Sequence, residues 1–186
     1  LLGKLFTLLP VGDVAYRLNV MSAVGAIIAA VALYASLVKA ARVRPGAAFV
    51  AALCLGWSPL VWSQAVIAEV YAPALAFAAV VWLLIACGGQ RGWRAAALLL
   101  GLGLGMHLSI VLMLPALLWL LLSLARPARK EWLWLCAALL AGAAIYIYIP
   151  LRAAQWPPIE WGAPVTLERF WWQASGQLYR GYLFAL

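Results

Sequence analysis

From Leu18 to Val38 the chain runs without a charged residue and then meets Lys39, Arg42 and Arg44, and this figure recurs along its length. Apolar stretches end on short basic loops, the others holding Arg91 and Arg94, then Arg126, Arg129 and Lys130. A helix rising 1.5 Å per residue needs about 20 apolar residues to cross the ~30 Å hydrocarbon core. A membrane β-barrel would instead alternate apolar and polar side chains over about ten positions. The runs here are rich in alanine and leucine and do not alternate. The expected fold is all-α, a polytopic membrane helix bundle of about six crossing segments with short interfacial helices.

Composition agrees, with 68% hydrophobic and 10% charged residues against about 25% charged in a soluble domain. The formal charge of +8 reflects loops more than a binding face, since eight of the thirteen basic residues lie in those three loops. Cytoplasmic loops collect Lys and Arg, so no nucleic-acid partner is needed to explain the excess. Cys54, Cys87 and Cys136 are far apart and there is one histidine, which suggests no disulfide framework, no metal site and no cofactor.

With basic loops inside, the threading follows. Leu18–Val38 runs inward, and Ser22, Ala26 and Ala29 or Ala30 form a small-residue stripe for close helix approach. Gly46–Trp62 returns outward with Pro59 weakening its last turn, and Ala68–Ala86 goes back in. Ala95–Leu124 is apolar but carries basic loops at both ends and is interrupted by GLGLGMHLSI. It must therefore turn, and the turn is placed near His107. Its outgoing arm, Ala95–Met106, is too short to cross, so the apex is expected within the outer leaflet, shielded by protein. The three glycines of that stretch predict close approach of a backbone or a ligand. Trp132–Ile149 crosses outward and is closed by Pro150, leaving residues 151–186 as an extracytoplasmic loop with an interfacial helix capped by Thr166 and ended by Gly176. Leu1–Leu9 is too short to span. No repeat or linker divides the chain, so residues 1–186 read as a single transmembrane domain. It opens on Leu1 and closes on an apolar run, as a fragment of a longer protein would.

This threading gathers Glu69, His107, Arg152, Glu160 and Glu168 at the outer face. Ionisable groups near membrane depth are functional candidates. Glu69 reads either as a helix-start carboxylate favoured by the helix dipole or as a substrate contact. His107 either satisfies loose backbone groups at the turn or lines a site. Arg152 either snorkels to lipid headgroups or clamps a phosphorylated lipid through its planar guanidinium. The outer tryptophans read first as an interfacial belt; among them Trp161, beside Glu160, is the one that could instead stack on a sugar ring.

In order, the stretches LLGKLFTLLPVGDVAYRLNVMSA, SPLVWSQAVIAEVYA, LGLGLGMHLSI, YIPLRA and WGAPVTLERFWWQASGQLYR resemble those of bacterial relatives of the transmembrane protein O-mannosyltransferases, over nearly the whole chain. The resemblance implies a multi-pass glycosyltransferase of the GT-C fold class in the bacterial inner membrane, its active face extracytoplasmic. It implies transfer from a polyprenyl-phosphate-linked sugar donor to an acceptor protein or glycan, within membrane lipid. The expected substrate-binding residues are Glu69, His107, Arg152, Glu160 and Trp161. The catalytic carboxylate of such enzymes belongs to an outer loop upstream of Leu1, so this stretch alone is expected to be inactive. Met106 stands where relatives often carry Asn, and Gln173 where many carry His. Two other readings of the residues stay open: a secondary transporter with a discontinuous helix, and a structural membrane subunit.

Overall fold

The computed structural model of the chain describes residues 2–124, 126–157 and 162–182, and among them every regular element is helical. A short helix α1 (Leu2–Phe6) precedes α2 (Val14–Lys39). Asp13 caps α2, its carboxylate accepting from the Tyr16 N–H at 2.8 Å, which satisfies one of the free donors of the first turn. The Arg17 guanidinium donates to the carbonyls of Thr7, Val11 and Gly12 and folds the preceding loop against the helix. Together they start α2 four residues before the expected Leu18.

The outward segment differs from expectation. It consists of α3 (Pro45–Gly56) and α4 (Pro59–Ala65), bent by 62°. Pro59 begins a helix here, because the residue before a proline is pushed to extended backbone and proline needs no amide partner in a first turn. Ser58 adopts that extended geometry and its hydroxyl accepts from the Val61 N–H.

Helix α5 (Tyr71–Cys87) leads almost directly into α6 (Gly89–Leu104), with Gly89 in the left-handed region at φ +54°. The outgoing arm is thus 16 residues, about 24 Å. It is longer than expected because the Arg91 loop is itself helical, and still short of the hydrocarbon thickness. The break falls where the sequence placed it, since His107 is extended and is followed by a 3-10 turn (Leu108–Met113) and α7 (Leu114–Leu124). Helix α8 (Arg129–Ala143), a second 3-10 turn (Ala144–Ile147) and α9 (Tyr148–Ala153) form one continuous run. Pro150 does not close that run. It sits in the first turn of α9, where its missing N–H is not needed, and Arg152 consequently lies inside the helix. Helix α10 (Leu167–Ala174) completes the set, capped by Thr166 and followed by Gly176 at φ +63°, as expected.

Val14–Lys39 and Arg129–Ala153 are long and apolar enough to cross a membrane, and α3 with α4 makes a third such span if the bent pair counts as one. Helices α2 and α5 pack along the small-residue stripe. Ser22, Ala26 and Ala29 are buried, and a methyl group on Gly25 would stand 2.7 Å from the Pro73 nitrogen. Val81, Ile85, Ala96, Leu100, Ile110 and Leu117 form the largest core, between α5, α6 and α7.

Helix α8 lies beside α6 and parallel to it, joined at three heights. At the basic end Arg94 donates both Nε and Nη2 to the Glu131 carboxylate, at 2.8 and 2.6 Å, with its guanidinium 5.4 Å from the Trp134 ring centre. Midway, Gly101 and Gly142 let the two backbones touch, so the expected close approach is backbone on backbone at Gly101, whereas Gly103 and Gly105 face the side chains of Ile110 and Ile145. Farther on, the Tyr146 hydroxyl donates to the Leu104 carbonyl at 2.9 Å. A parallel neighbour requires α7 to return to the end where α6 began, which is the hairpin expected from the two basic loops.

Candidate functional site

The ends of α2, α5, α6, α9 and α10 remote from the basic loops carry most of the polar residues singled out from the sequence. Glu69 lies before α5, whose N-cap is Val70, so it is one position outside the cap and not in the first helical turn. The dipole explanation for it therefore weakens. Its backbone is fixed by α2: the Ser22 hydroxyl donates to the Glu69 carbonyl at 3.1 Å and accepts from the Glu69 N–H at 3.3 Å. With Ser22 fully buried, the segment is anchored while the Glu69 side chain remains exposed. Ser22→Ala is expected to cost about 1 kcal/mol, the usual worth of a lost hydrogen bond, and to speed amide exchange at Glu69. Unchanged exchange there would show that the segment is held by other contacts.

His107 begins the 3-10 turn. Its Nδ1 accepts from the Ser109 N–H at 3.3 Å and lies 2.6 Å from the Ser109 hydroxyl oxygen. With Nδ1 accepting, the neutral ring carries its proton on Nε2 and can present a donor there. The ring sits 5.3 Å from that of Tyr71 at a 48° tilt. Tyr71 is two residues beyond Glu69, so the α5 entrance and the broken helix meet at this point.

Arg152 is not joined to them. Its Nη1 donates to Gln155 Oε1 at 2.8 Å, and no hydrogen bond among the described residues links it to Glu69 or His107. Near both Arg152 and His107 lies an apolar cavity of about 590 Å³, walled by α1 through Leu2 and Leu5 and lined also by Met106, Tyr146, Tyr148 and Ile149. Met106 precedes His107 in the chain, and Tyr148 and Ile149 stand one turn before Arg152 on α9, so Arg152 shares the face of α9 that lines the cavity. Helical neighbours three and four apart share a face.

Glu168 occupies the first turn of α10, beside a cleft of about 870 Å³ lined by Arg169, Trp171, Trp172 and Gln177 among others. The end of α10 rests on the broken helix, since a methyl group on Gly176 would meet Leu108 at 3.4 Å. Glu160 and Trp161 lie outside the described residues.

Tyr71, Ser109 and the Ser22 anchor were missed by sequence reasoning. Tyr71 and Ser109 each stand two positions from a residue already chosen, and that proximity was the available signal. The sequence pattern shows Ser22 only as one of the small residues of a packing stripe.

Residues 1–131 match the family model described as Protein O-mannosyl-transferase TMEM260 N-terminal domain. No curated protein and no solved structure gives a significant match.

Proposed function

Because the chain belongs to the TMEM260 N-terminal domain family of protein O-mannosyl-transferases, we propose that it forms part of a membrane glycosyltransferase. The reaction would move a sugar from a polyprenyl-phosphate-linked donor to an acceptor protein or glycan on the extracytoplasmic side. The proposed arrangement is GT-C-like, one domain of six crossing segments: α2, the bent pair α3 and α4, α5, α6, α7, and α8 with α9.

The observation that carries this reading is the apolar cavity with Arg152 one turn beyond its α9 wall and His107 following its α6 wall. A lipid phosphate is apolar along its chain and doubly acceptor-rich at its head, and such a molecule fits an apolar cavity bordered by a guanidinium. Arg152 would hold the phosphate, with charge-assisted hydrogen bonds that strengthen as the leaving group gains charge. Nε2 of His107 would orient the sugar or the acceptor. Glu69 would line the same mouth, and Glu160 with Trp161 would border the acceptor entrance.

The test is sugar transfer by the intact protein from a polyprenyl-phosphate mannose donor. Met106→Trp, which narrows the cavity, is expected to raise the donor KM about tenfold, or 1.4 kcal/mol, with kcat changed less than about twofold because the lost contact serves ground and transition state alike. Donor KM unchanged by the filled cavity would remove the cavity from the binding path. Donor-independent solute uptake without a covalent product would replace the transferase reading with a transporter.

A further inference from the structure

At the basic end of the bundle a second, smaller cleft of about 140 Å³ opens between α5, α6, α7 and α8. Its wall is hydrocarbon: Ile85, Ala97, Leu118 and Leu135 among others, with Trp93 and Trp132 towards the basic loops. Trp93 is held in place, its indole N–H donating to the Ile85 carbonyl at 3.2 Å. From Trp132 to Leu139 the wall runs seven residues along α8, about 10 Å, against a leaflet of ~15 Å.

The rim is cationic. Arg129 lies three residues before Trp132 and seven before Cys136, on the face of α8 that lines the cleft. Lys130 follows it, Arg91 is in the first turn of α6, and Arg126 is in the loop before α8. Glu131, in the first turn of α8, is the one acid in the basic segments at this end, and at 4% exposure its carboxylate is occupied by both donor arms of Arg94. The remaining cations thus have no carboxylate of this region to neutralise them. Arg129 and Lys130 also occupy the first turn of α8, where the helix dipole disfavours positive charge, so helix stability does not account for them.

We propose that this cleft binds one anionic phospholipid of the cytoplasmic leaflet, the upper part of an acyl chain lying between α7 and α8 and its phosphate held by Arg129 and Lys130. The proposal rests on the membrane placement given above but not on the transferase reaction. The lipid covers apolar surface that would otherwise be left between two short helices, and its headgroup supplies the missing negative charge.

The test uses the full-length protein in nanodiscs of equal phosphatidylglycerol and phosphatidylcholine, released into detergent and weighed by native mass spectrometry. The two leaflets are alike, so the readout depends neither on orientation nor on sugar transfer. One retained phosphatidylglycerol is expected, preferred about fivefold or more over phosphatidylcholine, the effect of roughly one basic residue near an anionic headgroup. Arg129→Gln with Lys130→Gln should bring the preference to about unity and, by relieving the dipole conflict, leave thermal unfolding unimpaired. Cys136→Trp fills the cleft from its open side, since Cys136 is exposed, and should abolish retention in a protein that still folds. Equal retention of both lipids, a preference that survives the double substitution, or retention unaffected by Cys136→Trp would each overturn the proposal. So would the absence of retained lipid with Cys136 shielded from a membrane-soluble maleimide, the result expected if protein covers the cleft.

Discussion

Gly142→Leu is expected to leave no folded protein recoverable from detergent, while Gly142→Ala lowers the unfolding temperature and Gly56→Ala does not. The Cβ alone already clashes, and the rest of a leucine side chain enlarges the clash. Built on Gly142, the Cβ would collide with the Leu98 carbonyl and stand 2.8 Å from the Leu102 nitrogen and 3.0 Å from the Gly101 Cα. These are backbone atoms of a helix, and no rotamer moves them aside. Ordinary overpacking of a core costs about 1–3 kcal/mol because side chains adjust; here α6 and α8 must separate bodily. Separation would lengthen the Tyr146 bond to Leu104 and pull Arg94 from Glu131, leaving a carboxylate with little access to water, and an uncompensated buried charge is among the costliest defects. Gly56 is the control because nothing lies within 4 Å of its Cβ position. The readouts are near-UV circular dichroism and monomer recovery by size-exclusion chromatography. A Gly142→Leu protein that melts with the wild type would show that α6 and α8 do not touch at this level.

The same pair of helices shows how far the sequence could be read. The reversal near His107 was legible because two basic loops bracket one apolar stretch, and a charge pattern of that kind survives any detail of packing. The Thr166 cap and the Gly176 stop were legible for a similar reason, since each is a local requirement of backbone geometry. Pro59 and Pro150 were not legible as helix residues because proline acts through its position in a helix, and position depends on where the helix starts. Ser58 starts one helix before Pro59, and a 3-10 turn starts another before Pro150, so both prolines fall in first turns that tolerate them. The Arg94 and Glu131 pair was not legible, since 37 residues separate the partners and only the parallel packing of α6 on α8 brings them together. Of the candidate site, Glu69, His107 and Arg152 were legible as residues at one end of the bundle, and Glu160 and Trp161 lie outside the described residues. The internal arrangement of the site was not legible, because the Tyr71 and His107 contact is tertiary and Arg152 bonds Gln155 rather than either of them.

Arg152→Ala should reduce kcat/KM for sugar transfer about 100-fold in the intact protein, close to 2.7 kcal/mol, as removal of a single charge-stabilising donor commonly does. Arg152→Lys should recover part of it, since an ammonium keeps the charge but not the paired donors that fit a phosphate. The competing explanation is structural. Arg152 lies in the last turn of α9, where a cation is favoured by the helix dipole, typically by 0.3–1 kcal/mol. It also bonds Gln155 three residues on, an exposed contact that Gln155→Ala removes without touching the charge. If Arg152 only finishes a helix, Arg152→Ala and Gln155→Ala should both lower the unfolding temperature slightly and leave transfer per folded molecule unchanged. If it holds the donor phosphate, the two variants should part: transfer falls in the first and persists in the second, with similar stabilities. The loss should also fall on donor turnover more than on acceptor KM, because the phosphate gains charge as the sugar departs and the interaction is strongest there. Transfer undiminished by Arg152→Ala would take the guanidinium out of the reaction and leave the cavity without its proposed anion partner.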